Sequence, residues 1–186
     1  MPKQKLNIVH ASKHLIHTDL WDNKSNPLSI TFIYGHPKES KREEVWIKLR
    51  SFKLLAHSNW LCIGDFNEVL NEDDEFSFNR GTVSGADSFQ QLISILGLCE
   101  VIASGQKFTW MNRRDGEDFV MERLDRAFAS MEWVNTYPGY SLKNLPIVRS
   151  DHGPILLDFE LNHSFRCKPF RFERMWITHP SCKGVV

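Results

Sequence analysis

Two short motifs place groups capable of chemistry at the ends of apolar runs. Gly64-Asp65-Phe66-Asn67 directly follows the run Trp60 to Ile63. A carboxylate and an amide two residues apart at the carboxyl end of a strand can point the same way into a crevice, where α/β proteins bind ligands. Asp65 could act there as a general base or metal ligand, and Asn67 could hydrogen-bond an anion; the same tetrapeptide is also a good turn. The second motif, Ser150-Asp151-His152-Gly153-Pro154, stands directly before the apolar run Ile155 to Phe159. It can present a carboxylate and an imidazole to one pocket, and a nearby carboxylate stabilises an imidazolium that could stabilise or protonate an anion. Tyr34, followed by Gly35-His36-Pro37, could donate its hydroxyl to a phosphate. In Arg123-Leu124-Asp125-Arg126, strand alternation puts Arg123 and Asp125 on one face, Leu124 and Arg126 on the other. His10, His14 and His17 have spacings that a metal could use on a helix, but their flanks give no firm helix.

The elements that must position these groups are legible in outline. Leu28 to Tyr34 is rich in β-branched and aromatic residues and reads as a strand ending at Gly35. Lys41 to His57 puts Val45, Leu49, Phe52 and Ala56 on one helical face. Trp60 to Gly64 has the continuous apolar pattern of a strand buried on both faces, with Cys62 a buried thiol inside it. Ser84 to Leu98 reads as the clearest helix: Phe89, Leu92, Ile93 and Leu96 fall at helical spacing, and Gly97 suits a left-handed terminating position. Shorter strands are expected over Lys107 to Asn112, Phe119 to Phe128 and Pro154 to Leu161, with a brief helix between Ser130 and Pro138. Strands alternate with helices early and dominate later, which favours a layered α/β protein with a mixed sheet or paired sheets.

Composition narrows the function classes. The 186 residues suit one domain, or one domain plus a tail, and 41% hydrophobic with 25% charged residues excludes a disordered, collagenous or coiled-coil chain. No apolar run approaches the length of a membrane span, and Met1 to Leu20 does not read as a secretory signal. Lys and Arg (23) balance Asp and Glu (23), so a nucleic-acid partner must be argued from a site rather than from bulk charge. Cys62, Cys99, Cys167 and Cys182 form no CxxC pair and fit a reducing, intracellular compartment. From about His163 basic residues alternate with aromatics (Phe165, Phe170 and Phe172 among Arg166, Lys168, Arg171 and Arg174), which reads as a linker or docking tail. Such a tail could pair phosphates and stack bases, or lie on its own domain with snorkelling stems.

Taken in order, Tyr34, GDFN at Gly64 to Asn67, FTWMN at Phe108 to Asn112, ERLDRAF at Glu122 to Phe128 and SDHGPI at Ser150 to Ile155 resemble the endonuclease/exonuclease/phosphatase superfamily, which shares the DNase I-like fold. Within it the chain looks most like the endonuclease domain of plant LINE-type (non-LTR) retrotransposons, with PFRFERMW at Pro169 to Trp176 resembling the connector to a reverse transcriptase. The resemblance implies an α/β fold: a four-layer α/β/β/α sandwich over residues 1–162, followed by a linker over 163–186.

It also implies magnesium-dependent phosphodiester hydrolysis, with manganese as an alternative metal and DNA as partner. Carried over by motif, Asp65 orients or deprotonates the attacking water, Asn67 holds the scissile phosphate and Tyr34 hydrogen-bonds it. His152 stabilises transition-state charge, Asp125 orients its ring, and Asp151 and Asp65 help position the metal. The family pattern also has an Asn and a metal-binding Glu upstream of its Tyr motif. No match precedes Tyr34 here, so the first strands of the sandwich are expected to be missing, leaving edge strands open. Three readings stay open: a retroelement-type DNA endonuclease, a catalytically degenerate fragment with at most weak nucleic-acid binding, and a phosphatase acting on inositol phosphates or lipids.

Overall fold

The computed structural model of the chain describes residues 6–22, 25–78 and 85–159. Its N-terminal part is a meander of β1 (Leu6–Ala11), β2 (Leu15–Trp21) and β3 (Pro27–Tyr34). The chain crosses over through α1 (Arg42–Phe52) to β4 (Trp60–Asp65), which lies parallel to β3. A short strand β5 (Glu75–Ser77) and helix α2 (Ala86–Leu96) lead to β6 (Cys99–Glu100) and β7 (Ala103–Gly105). Then come β8 (Trp110–Met111), β9 (Val120–Glu122) and β10 (Asp125–Ala129). The described chain closes with α3 (Met131–Thr136), β11 (Ser141–Asn144) and β12 (Ile155–Asp158).

Six strands form one mixed sheet in the order β1-β2-β3-β4-β10-β6, and two three-stranded sheets run β12-β11-β7 and β5-β9-β8. Helices α1 and α2 cover one face of the large sheet. Their apolar stripes (Val45, Trp46, Leu49, Phe52; Phe89, Leu92, Ile93, Leu96) bury against Leu15, Ile33, Cys62, Phe66 and Phe128. Leu28, Ile30, Leu61, Ala127 and Ala129 bury on the other face with Val101, Trp133 and Leu142, and half-buried Ile155, Leu157 and Phe159 join them. β4 and β10 are thus buried on both faces, as the unbroken apolar run at Trp60 requires. Helix α2 ends where Gly97 takes φ of +71°, a left-handed turn that costs glycine little. Among the described residues no helix is long and apolar enough to cross a membrane.

Three sequence expectations change. The strand expected over Phe119 to Phe128 is two strands broken at Arg123 and Leu124. Leu124 N and Asp125 N both donate to Thr109 Oγ1 (3.0 and 2.9 Å), and Arg123 N donates to Asp74 O (2.9 Å). The break defeats the alternation argument: Arg123 and Arg126 converge on the same acids, Asp74 and Glu100, while Asp125 faces elsewhere. The spaced histidines, whose flanks gave no firm helix, sit on a β-hairpin. There His17 is fully buried against Phe52 and joined to Thr31 Oγ1 at 2.8 Å, and burial lowers its pKa. Finally, Leu6–Ala11, Leu15–Trp21 and Ser141–Asn144 are strands that the sequence pattern does not announce. The tail reading, with Cys167 and Cys182, lies outside the described residues.

Candidate active site

Register across the large sheet assembles the first half of the site. Asp65 pairs with Tyr34 on β3 on one side and with Asp125 on β10 on the other, so the three residues form one rung across adjacent strands and share a face. Two glycines permit this closeness. A Cβ on Gly64, whose φ is +145°, would lie 2.1 Å from Ile33 O; one on Gly35 would lie 2.0 Å from Phe66 O. Side chains at either position would force β3 and the end of β4 apart.

Asn67 closes a tight turn behind Asp65. It sits at φ +51°, a conformation that asparagine tolerates better than most residues. Its backbone N–H donates to Asp65 Oδ1 (2.8 Å) and its side-chain amide to Asp65 Oδ2 (2.7 Å) and Gly35 O (3.0 Å). The amide hydrogens of Asn67 therefore orient Asp65 in this structure, rather than standing free for a phosphate. Burial raises the Asp65 pKa to about 6, aided by the facing Asp125 and opposed by the Asn67 N–H and by His152.

The second half arrives on the loop before β12. Met111 N donates to Asp151 O (3.0 Å) and Gly153 N to Thr109 O (2.7 Å), which stitches this loop to β8. Thr109 is the shared anchor, since its hydroxyl also holds the backbone of Asp125. The outcome is a 2.9 Å hydrogen bond from His152 Nδ1 to Asp125 Oδ2. That bond is the main reason the His152 pKa is raised, with the Asp125, Asp65 and Asp151 charges adding to it against partial burial. Asp151 is exposed, and its pKa is lowered first by its own backbone N–H and then by His152.

Tyr34, Asp65, Asn67, Asp151 and His152 line one cleft of about 550 Å³, and Asp125 stands behind His152. All six site residues expected from the sequence are thus brought together. The motifs gave no role to the other residues of this cleft. Arg42 at the start of α1 is held by buried Glu68 at 2.6 Å, Trp110 forms part of the wall, and Glu75 and Glu122 face each other across β5 and β9. Glu122 is pushed up to about 6 by burial first, then by Glu75, Glu68 and Asp65, with Arg42 opposing. Trp110 and Glu122 fall inside the FTWMN and ERLDRAF motifs without a role read from either, no motif marks Arg42 or Glu75, and β5, β8 and β9 are only two or three residues long, too short for a period to show.

Hard carboxylate oxygens are the donors that a hydrated magnesium or manganese ion takes, and Glu39, Asp65, Glu68, Glu75, Glu122 and Asp151 all line the cleft. Among the described residues no three acidic, histidine or cysteine side chains gather into a closed cage. The cleft thus offers an ion carboxylates singly or in pairs.

Comparison with solved structures fits this geometry. The endonuclease domain of TRAS1, a telomere-specific non-LTR retrotransposon, superposes with TM-score 0.68 at 14% identity, over 87% of this chain and 71% of that one. The chain has the DNase I-like fold. A 3'-5' exonuclease (NExo) from Neisseria meningitidis superposes with TM-score 0.59 at 17% identity, over 84% of this chain and 71% of that one. The NExo 3' phosphatase bound to a product DNA hairpin gives TM-score 0.59 at 17% identity, over 86% of this chain and 71% of that one. No protein-family model and no curated protein matches the sequence. Within this DNase I-like fold the mixed sheets and flanking helices agree with the α/β class expected from the sequence.

Proposed function

We propose that the chain hydrolyses phosphodiester bonds in DNA, as an endonuclease of retroelement type. One observation carries the reading. The rung Tyr34–Asp65–Asp125 is completed by His152, bonded to Asp125 at 2.9 Å, so a base, an imidazole held by a carboxylate and a hydroxyl donor meet at one cleft. The names of the superposed proteins, an endonuclease domain and an enzyme solved on a DNA hairpin, support DNA as the substrate.

Asp65, with its pKa near 6, is ionised at neutral pH yet basic enough to take a proton from an attacking water. Asn67 fixes both Asp65 oxygens, so the base meets the water in one orientation. Asp125 holds His152 by Nδ1, which leaves Nε2 to donate to a phosphoryl oxygen as negative charge grows on it. The half-exposed Tyr34 hydroxyl adds a neutral donor on the opposite margin. Asp151 and Asp65 are the groups that would hold a divalent ion, magnesium or manganese, which when bound supplies neutralisation of the phosphate charge.

A second reading, binding without cleavage, is favoured by one feature: the Asn67 amide and the Arg42 guanidinium are already committed to Asp65 and Glu68, so few donors remain for a phosphate. Nicking of supercoiled plasmid by the purified chain with magnesium separates the two. The endonuclease reading expects nicks that EDTA and His152→Ala each abolish. Cleavage indifferent to both controls would refute it, and a folded sample that binds DNA but never nicks it would establish the second reading.

A further inference from the structure

The margin of the cleft beside Tyr34 has a chemistry opposite to that of its floor. The His14 ring lies parallel to Tyr34, with centroids 5.9 Å apart and planes within 6°, and its Nδ1 donates to Tyr34 O at 2.8 Å. The His36 ring stands 5.1 Å from that of His14, and its Nδ1 accepts from the Lys38 N–H at 3.0 Å. Tyr34 is 44% exposed, so this three-ring array borders solvent at the mouth of the cleft. Lys13, Lys38 and Lys41 are exposed residues within five positions of these rings in the sequence; Glu39, on the cleft side, is the acid in the same stretch. Burial, then the His14, Lys41 and Lys13 charges, lower the His36 pKa against the Lys38 N–H. The turn between β1 and β2 and the segment after β3 come from separate parts of the sequence, yet both bring rings and lysines to this place.

We propose that this margin is a binding track for the nucleic-acid strand flanking the scissile phosphodiester, with Lys13, Lys38 and Lys41 neutralising phosphates and the His14 and His36 rings stacking on a base or sugar. The proposal rests on the reading of the cleft as a DNA phosphodiesterase and adds where the substrate lies beyond the reacting phosphate. Lysines that neutralise phosphates release counterions and make affinity steeply salt-dependent, and aromatic faces accept any base. The cleft floor is acidic and repels a polyanion, so an adjacent basic track supplies the attraction that the floor cannot.

The test uses the full chain carrying His152→Ala, so that a short fluorescent DNA duplex is bound in magnesium buffer without being consumed, and follows anisotropy across a salt series. Adding Lys13→Glu and Lys41→Glu should weaken binding and flatten the slope of log affinity against log salt by about 0.9 for each phosphate that is no longer neutralised. Lys48→Glu with Lys53→Glu, toward the other end of α1, is the control and should leave the slope unchanged. Equal loss from both pairs, an unchanged slope in the first pair, or no binding by the parent chain would each overturn the proposal. Hydrolysis of bis-p-nitrophenyl phosphate by the chain with His152 intact is scored separately. The Lys13/Lys41 pair should leave it unchanged, because so small a diester never reaches the track. Failure of that hydrolysis in the parent chain counts against the phosphodiesterase reading and leaves the binding result to decide the track.

Discussion

Two groups of charged side chains, both beside β10, show how environment divides structural charge from chemical charge. Behind the strand, fully buried Arg126 reaches Asp74 and Glu100 at 2.6 Å each, and Arg123 approaches Asp74 to 3.7 Å and Glu100 to 2.7 Å. Every charge there is answered by its opposite. In front, Asp65 and Glu122 are pulled out of water and sit among other carboxylates with too few cations; burial first, then those charges, raises both pKa values to about 6. Paired charges hold β5, β6 and β10 together. Underpaired ones cost stability, and that cost marks where the molecule keeps reactivity.

The difference can be broken from either side. The largest effect on the fold should come from Arg126→Met, which leaves Asp74 and Glu100 with only Arg123. Stability should fall by about 3 kcal/mol, read by urea unfolding, since removing one partner of a buried pair strands the other. The largest effect on chemistry should come from His152→Ala, which should lower nicking by roughly 10²–10³-fold while the unfolding midpoint scarcely moves. Asp125→Asn should act through His152. Without the carboxylate the imidazolium is less favoured, so the alkaline limb of the nicking rate should move to lower pH; the acid limb, set by Asp65, should also move down, because the Asp125 charge helps hold the Asp65 pKa up.

A smaller effect of opposite sign is expected from Glu122→Gln. A carboxylate whose pKa is raised in the fold binds its proton more tightly there than in the unfolded chain. Its destabilising contribution is absent well below pH 4.5 and grows as pH rises through about 6. Removing the charge should therefore stabilise the chain at pH 7 by up to about 1 kcal/mol, after allowance for solvent screening, and do nothing at pH 4.

How much of this was legible in the sequence follows the same division. Tyr34, Asp65, Asn67, Asp151 and His152 announce themselves because each stands at the end of, or just before, an apolar run. The α1 and α2 stripes are legible for the ordinary reason that helical spacing shows over eleven residues. Glu122 opens a motif, but its facing of Glu75 is not legible: that depends on strands of three residues, placed by the Thr109 hydroxyl and by Asp74 from distant parts of the chain. The partnership of Arg123 with Arg126 is hidden by the same break, which turns a face alternation into a convergence. β1 and β2 escape notice because His17 and Thr18 occupy buried positions where a strand pattern calls for apolar side chains.

The most direct test of this division is the thermal midpoint of Asp65→Asn against the parent chain, at pH 7 and at pH 4. Asparagine keeps the shape and can still accept the Asn67 N–H, but it carries no charge to desolvate. The midpoint should be higher by roughly 4 °C at pH 7, from about 1–2 kcal/mol after solvent screening, and the difference should be several times smaller at pH 4, close to the ordinary pKa of the unfolded carboxyl. A midpoint that falls at pH 7, or shifts equally at both pH values, would mean that Asp65 is a structural charge like those around Arg126 and would contradict the division drawn between them.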